Sequence, residues 1–335
     1  MTDGRVGTQP GEKVRIGTRG SALALAQTRQ VADALAKASG LEVELVTITT
    51  HGDTATESLS QLGGVGVFTS ALRDALVRGD IAVAVHSFKD LPTAEHPDIE
   101  LGAVPKRADA RDALCAHDGL TLETLPEGAK VGTGSPRRIA QLKALRPDVE
   151  IVDIRGNIDT RLSRVFGEAG DDRRLDAIVL AAAGLGRLGR SDAVTQHFEL
   201  GDWPTAPAQG ALALEVRRQK DATAFGRALA KGLAAINHAT TRASVAAERG
   251  VLAGLEAGCA APLGATAMVD DGLLFVTATV YSVDGTDQLT SSHAASLEGN
   301  GQAALLEAAE DASARVTEEL LANGAADLAS LGGAR

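Results

Sequence analysis

The sequence predicts an α/β protein of two strand–helix blocks followed by a smaller α+β unit. Three observations lead there. Short apolar or alternating strands alternate with helical periodicity through roughly the first two hundred residues, the pattern of βαβ units and largely parallel sheets. Gly- and Pro-rich turns separate them. From about Ala239 the order changes to a helix, two strands and a final helix. The length of 335 residues fits two or three domains at about 150 residues each.

Residues 1–12 are polar and Gly-rich without periodicity, and are expected to be a disordered tail. Lys13–Thr18 reads as a strand, Ser21–Ser39 as a helix stopped by Gly40, and Leu41–Thr50 as an alternating strand. Val67–Val77 is helical and Ile81–Val85 (IAVAV) a short buried strand. The second block gives Lys130–Thr133, Val149–Ile154 and Asp176–Ala181 as strands. Its helices are Ser135–Leu145 and Asn157–Phe166, the latter capped by Asn157. Asp202–Ala208 (DWPTAPA) reads as a linker. Ala211–Val216 (ALALEV) is a strand with no sheet of its own nearby, so it is expected to return to the first block. The last unit has a helix from Ala239 to Ala257, strands at Leu263–Met268 and Leu273–Tyr281, and a helix within Gly301–Asn323.

Composition narrows the function. Lys+Arg 33 against Asp+Glu 44 gives a net charge of -11, which argues against nucleic-acid or anionic-membrane partners, although a basic cleft can sit within an acidic surface. Aromatic residues are 2%, too few for base- or sugar-stacking platforms, so the cores must come from Ala, Val, Leu and Ile. The N-terminus shows no signal-peptide h-region, and no apolar run approaches the roughly 20 residues of a membrane span. Two cysteines, Cys115 and Cys259, cannot build a disulfide framework, and the seven histidines show no metal-ligand spacing, so no metal is expected. A cytoplasmic chain is the expectation.

Two constellations carry chemistry. His86-Ser87-Phe88-Lys89-Asp90-Leu91-Pro92 follows the strand IAVAV, and strand carboxyl ends are where open α/β sheets place ligands. The lysine can bind a carboxylate while the aspartate serves acid/base chemistry; a solvated turn is the plainer reading of such a pair. The second constellation is arginine at strand-to-helix junctions: Arg137 and Arg138 in GTGSPRR, Arg155 and Arg161 in IRGNIDTRL, and Arg187 in GLGRLG. Each guanidinium can clamp a carboxylate or phosphate bidentately, so the set reads as an anion cage or as scattered surface charge. GLGRLG lacks the spacing of a dinucleotide fingerprint. Cys259, in the loop LEAGCAAP, reads either as an accessible thiol or as a small buried hydrophobe; Cys115 in DALCAHD reads as a core residue.

Together these fragments resemble one family, porphobilinogen deaminase or hydroxymethylbilane synthase. The matches run in order from RIGTRGSALAL (15–25) through HSFKDLP (86–92), GTGSPRR (132–138), IRGNIDTRL (154–162), AAAGLGRLG (181–189), AQGALALE (208–215) and AERG (247–250) to LEAGCAAPLG (255–264). The resemblance implies a transferase that condenses four porphobilinogen units into hydroxymethylbilane, releasing four ammonia molecules. It primes the chain with a dipyrromethane cofactor held by a thioether to the cysteine matched by Cys259. Asp90 matches the catalytic aspartate, which would stabilise the azafulvenium left by ammonia and move protons. Arg19, Ser21, Lys89, Arg137, Arg138, Arg155, Arg161 and Arg187 match positions that bind cofactor or substrate carboxylates, with Ser135 and Gln27 as weaker matches. The partners so implied are porphobilinogen and the growing oligopyrrole, with the chain acting as a monomer.

The family fold implies two doubly wound lobes like type II periplasmic binding proteins and a small α+β C-terminal domain. Here these would be 13–104 with 208–229, carrying the aspartate; 105–207, rich in arginine; and 230–335, bearing the cysteine. The sequence departs from the family at Val65, where many members have lysine, and at Ala22 and Ala260, where they often have proline and glutamine. The Gly-rich loop from His51 to Gly66 is expected to be a mobile lid. A non-enzymatic two-lobed anion-binding module is the alternative reading, and a dinucleotide oxidoreductase a weaker one. The module would need neither Asp90 nor Cys259, and the missing dinucleotide fingerprint counts against the oxidoreductase.

Overall fold

The computed structural model describes residues 13–49, 69–167, 174–219, 221–258, 261–299 and 301–329. The N-terminal tail, the 51–66 loop with Val65, and Cys259 with Ala260 lie outside the described residues.

In chain order the elements begin β1 (Val14–Thr18), α1 (Ala22–Ser39), β2 (Val43–Thr47), α2 (Ser70–Arg78), β3 (Val83–Ser87) and β4 (Ile99–Ala103). There follow β5 (Asp112–Ala116), β6 (Lys130–Gly132), α3 (Pro136–Leu145), β7 (Glu150–Val152), α4 (Ile158–Phe166), β8 (Ala177–Ala181), α5 (Ala182–Arg187) and β9 (Gln196–His197). The last are β10 (Leu212–Arg217), α6 (Ala224–Ile236), α7 (Ala239–Gly254), β11 (Leu263–Asp270), β12 (Leu273–Tyr281), β13 (Gln288–Ser296), α8 (Gln302–Ala322) and α9 (Ala325–Leu328). Two stop signals act as expected. Gly40 ends α1 in the left-handed region at φ 74, and the Asn157 side chain accepts the Thr160 N–H at the start of α4.

The chain divides into two compact units, Met1–Arg107 with Ala211–Arg242, and Ala108–Gly210 with Ala243–Arg335. The sheet of the first unit runs β2-β1-β3-β10-β4. The expected returning strand is β10, which lies antiparallel between β3 and β4 with Ala213 opposite His86. Val14, Ile16, Val83, Val85, Leu212 and Leu214 pack from this sheet against Val31 and Leu35 of α1.

The second unit holds two sheets. One runs β7-β6-β8-β5-β9, with β5 antiparallel to both neighbours. It repeats the arrangement of the first unit: three parallel strands, one reversed strand, and an edge strand. The two blocks therefore share a strand arrangement reached by different connections, and both have the α/β class expected from the sequence. The other sheet is the antiparallel meander β11-β12-β13. Its core is largely alanine with leucine and valine, and Ala308, Ala312, Val316 and Leu320 of α8 face Leu274, Val276, Ala278 and Val280 of β12. Small side chains replace the aromatics that the composition lacks.

Candidate active site

In the first unit, β1 and β3 are parallel neighbours, so the turns at their carboxyl ends stand side by side. After β1 come Arg19, half-buried, and Ser21, whose Oγ caps α1 by accepting the Ala24 N–H at 3.2 Å. After β3 the chain makes one 3-10 turn, Phe88–Asp90. Phe88 and Leu91 are buried on either side of this turn, and the Phe88 N–H donates to Ala211 O at 3.0 Å. That anchoring leaves Lys89 half-buried and the Asp90 carboxylate exposed on a fixed scaffold. Gln27 joins the two turns, its Nε2 donating to Ser87 Oγ at 3.2 Å. Arg19, Ser21, Gln27, Lys89 and Asp90 are thus brought to one end of one sheet.

In the second unit Arg138, Arg155 and Arg161 come together from α3, the turn after β7, and α4. Ser135 precedes α3 in extended conformation, and its side chain makes no capping hydrogen bond. Gly134 is required by the tight approach of this turn to the Arg155 segment. A Cβ there would stand 2.8 Å from Asp153 Oδ1 and 2.9 Å from Ile154 O. Arg155 is half-exposed, with Asp153 3.6 Å away. Arg161 donates from Nε to Gly156 O at 2.8 Å. Burial, and then the charges of Arg138 and Arg155, lower the proton affinity of the Arg161 guanidinium. Three arginines therefore share one positive field. Arg187 donates from Nη2 to Gly210 O at 2.7 Å, while its Nε is buried without a partner.

Arg137 and Arg138 differ from the rest. Both are buried, and both pair with Asp112 of β5, at 2.8 Å from Arg137 Nη2 and 2.6 Å from Arg138 Nη2. Burial works against the Asp112 charge, yet the two arginines and hydrogen bonds from Arg138 and Gln209 hold its carboxyl far below the ordinary range. The sequence reading missed Asp112. The available signal was a carboxylate opening an otherwise apolar strand, DALCA, since a buried charge needs a partner. Cys115 of the same strand is buried, as its pattern suggested.

The family model "Porphobilinogen deaminase, dipyromethane cofactor binding domain" matches residues 14–224, and "Porphobilinogen deaminase, C-terminal domain" matches 243–322. The chain belongs to the porphobilinogen deaminase family. A porphobilinogen deaminase of Leifsonia xyli subsp. xyli is 66% identical over 323 residues, covering 96% of both chains. Another, from Cutibacterium acnes, is 51% identical over 331 residues, covering 95% of this chain and 97% of its own. Among solved structures, the methionine binding protein MetQ aligns with 66% of this chain and 89% of its own, at 11% identity and TM-score 0.42. Among the described residues no helix is long and apolar enough to cross a membrane.

A dipyrromethane carries several carboxylates, and the described residues of the cofactor-binding domain fit such a group. Two buried arginines face one aspartate, leaving a net positive charge, and the Arg187 Nε is an orphaned buried donor. Buried groups of this kind are stabilised when a ligand carboxylate completes them. On the described residues to either side of Cys259, Glu256 has φ 49, and the Ala261 N–H donates to Gly258 O at 3.0 Å.

Proposed function

We propose that Asp90 is the catalytic carboxylate for the head-to-tail condensation of four porphobilinogen molecules into hydroxymethylbilane with release of four ammonia. Cys259 anchors the dipyrromethane cofactor in a C-terminal domain of residues 230–335. Arg19, Ser21 and Lys89 in the 13–104 domain receive pyrrole carboxylates, as do Ser135, Arg137, Arg138, Arg155, Arg161 and Arg187 in the 105–207 domain. The working unit is a single chain in the cytoplasm.

The observation that carries this reading is the exposed Asp90 carboxylate on a turn pinned by buried Phe88 and Leu91. Such a group meets the substrate without having to reorganise. When bound, the cofactor supplies the pyrrole end to which new units are added. Asp90 Oδ accepts the N–H of the substrate pyrrole and balances the positive charge that grows on that ring as ammonia leaves. The interaction is stronger in the transition state than in the ground state, so it lowers the barrier. The same oxygen takes and returns protons at the amine and at the condensing carbon. Arg155 and Arg161 offer guanidinium N–H groups to acetate and propionate, and their shared field strengthens each contact.

The test is the intact mass of full-length protein made in cells that synthesise porphobilinogen, with its colour in acidic p-dimethylaminobenzaldehyde. A two-pyrrole mass increment and a positive pyrrole reaction are expected. An unmodified, colourless protein would leave an anion-binding module as the better description.

A further inference from the structure

We propose that Asp112 is a positioning residue for the cofactor-binding arginines, fixing the Arg138 and Arg137 guanidinium planes before any ligand arrives. The proposal rests on the reading of Arg138 as a carboxylate binder.

Asp112 is fully buried at the start of β5 and accepts five hydrogen bonds. To Oδ2 come Arg137 Nη2 at 2.8 Å, Arg138 Nε at 3.1 Å and Trp203 Nε1 at 2.9 Å. To Oδ1 come Arg138 Nη2 at 2.6 Å and Gln209 Nε2 at 2.8 Å. A carboxylate has about four lone-pair sites, so this one is saturated and cannot itself bind a ligand. Its function must be exerted through its donors. The fork from Arg138 Nε and Nη2 fixes the plane of that guanidinium, and Nη1 is fixed in turn by Val179 O at 3.0 Å. One N–H on each of Nη1 and Nη2 is then left over, with its direction set by the fork. Arg137 is held from the other side, with Nη1 on Gln141 Oε1 at 2.6 Å and on Pro204 O at 3.1 Å.

Charge makes the same point. With one aspartate against two arginines the cluster keeps a net positive charge in a buried place. Each guanidinium is therefore neutralised enough to stay folded and still able to attract a carboxylate. Gln209 and Trp203 stop the aspartate from turning, and Gln209 is itself tied to Ala110 O at 2.9 Å. Trp203, the single tryptophan of the chain, stacks on Phe198 with ring centres 4.3 Å apart, so its emission reports whether this core is intact.

The experiment uses full-length protein made in cells unable to synthesise porphobilinogen. Porphobilinogen is then added, and the two-pyrrole mass increment is followed with time for wild type, Asp112→Asn, Gln209→Leu, Trp203→Phe and Arg138→Leu. Folding is checked by circular dichroism and, where Trp203 is present, by its emission. Folded Asp112→Asn is expected to load at least about tenfold more slowly than wild type, the size of one lost charge-assisted hydrogen bond, and Gln209→Leu about threefold more slowly. A folded Asp112→Asn that loads within about twofold of wild type, while Arg138→Leu fails, would leave Asp112 with a structural role only and overturn the proposal. Arg138→Leu loading at the wild-type rate would instead overturn the reading of Arg138. Should Asp112→Asn not fold, the two neutral variants decide: slowed loading in both supports positioning, and loading within about twofold in both refutes it.

Discussion

The Arg73 guanidinium meets the Glu215 carboxylate as a fork, with Nε 3.1 and 3.2 Å from its two oxygens and Nη2 2.7 Å from Oε1. His86 Nε2 stands 3.2 Å from Oε2 of the same carboxylate. Helix α2, the strand β3 that leads into the Asp90 turn, and the returning strand β10 thus meet at one buried charge cluster. Burial would raise the Glu215 carboxyl, but the neighbouring His86 and Arg73 outweigh it and hold it at about 2.

This cluster gives the first unit a defined acid sensitivity. The folded-state value lies below the ordinary 4.5, so the stabilisation is complete above that pH and is lost as pH falls toward 2. Glu215→Gln is expected to lower stability at pH 7 by on the order of 3 kcal/mol. The gap from wild type should close on acidification. Urea unfolding at pH 7, 4 and 3 checks this, and a gap independent of pH would contradict it.

Asp90→Asn is expected to bind substrate and load cofactor while kcat falls by about 10²-fold or more, the usual worth of a positioned proton-transfer group. The exposed carboxylate is not part of any buried cluster, so the unfolding midpoint should stay within about 0.5 kcal/mol of wild type. A kcat within about threefold of wild type would remove Asp90 from the chemistry.

Burial pushes the Cys115 thiol up to about 12, so at pH 8 it stays protonated and unreactive. Iodoacetamide should label folded, cofactor-free protein at Cys259 alone, and Cys115 only after unfolding. Cys259→Ser should lose both adduct and activity, whereas Cys115→Ser should keep both at a stability cost of about 1–2 kcal/mol. Peptide mass mapping separates these outcomes.

The arginines should divide by stability as well as by loading. Arg137→Leu uncovers buried Asp112 and should cost about 3–5 kcal/mol, whereas Arg155→Leu loses only a half-exposed contact and should cost under about 1 kcal/mol. Both should stall at cofactor assembly or early elongation. Arg187→Leu should load and stall later. Mass spectra of the bound-intermediate ladder under limiting porphobilinogen check the order, and three wild-type ladders would refute it.

Much of this was legible in the chain because local signals matched the tertiary outcome. Ser21, Gly40 and Asn157 mark helix ends by short-range chemistry, and ALALEV could be read as a strand in need of a distant sheet. Other elements hide. β13 (QLTSSHAAS) has small polar residues and shows itself only by pairing with β12 along its whole length. β4 (IELGA) contains Glu, Gly and Ala, which disfavour strands. Helix α6 carries Gly226 and Gly232, each weakening a helix by about 1 kcal/mol. Gly232 is placed by its neighbour, since a Cβ there would lie 2.7 Å from the Ser39 side chain of α1. At the candidate site, motifs located the arginines, but nothing local could show that Arg137 and Arg138 turn inward to Asp112. That pairing depends on β5 lying beside β8.

The place of β10 between β3 and β4 sets an order of events during synthesis. When β4 has left the ribosome, the strand that must separate it from β3 is still roughly a hundred residues from being made. Until then β3 keeps one unsatisfied backbone edge and β4 has no sheet partner, a state prone to wrong pairing. The β5–β9 sheet has no such wait, because its strands all come from one stretch, Asp112 to His197. The later-made lobe can therefore complete its sheet first, and the lobe bearing Asp90 closes second. Slow translation or chaperone binding between Arg107 and Ala211 would act on the half of the protein that holds Asp90.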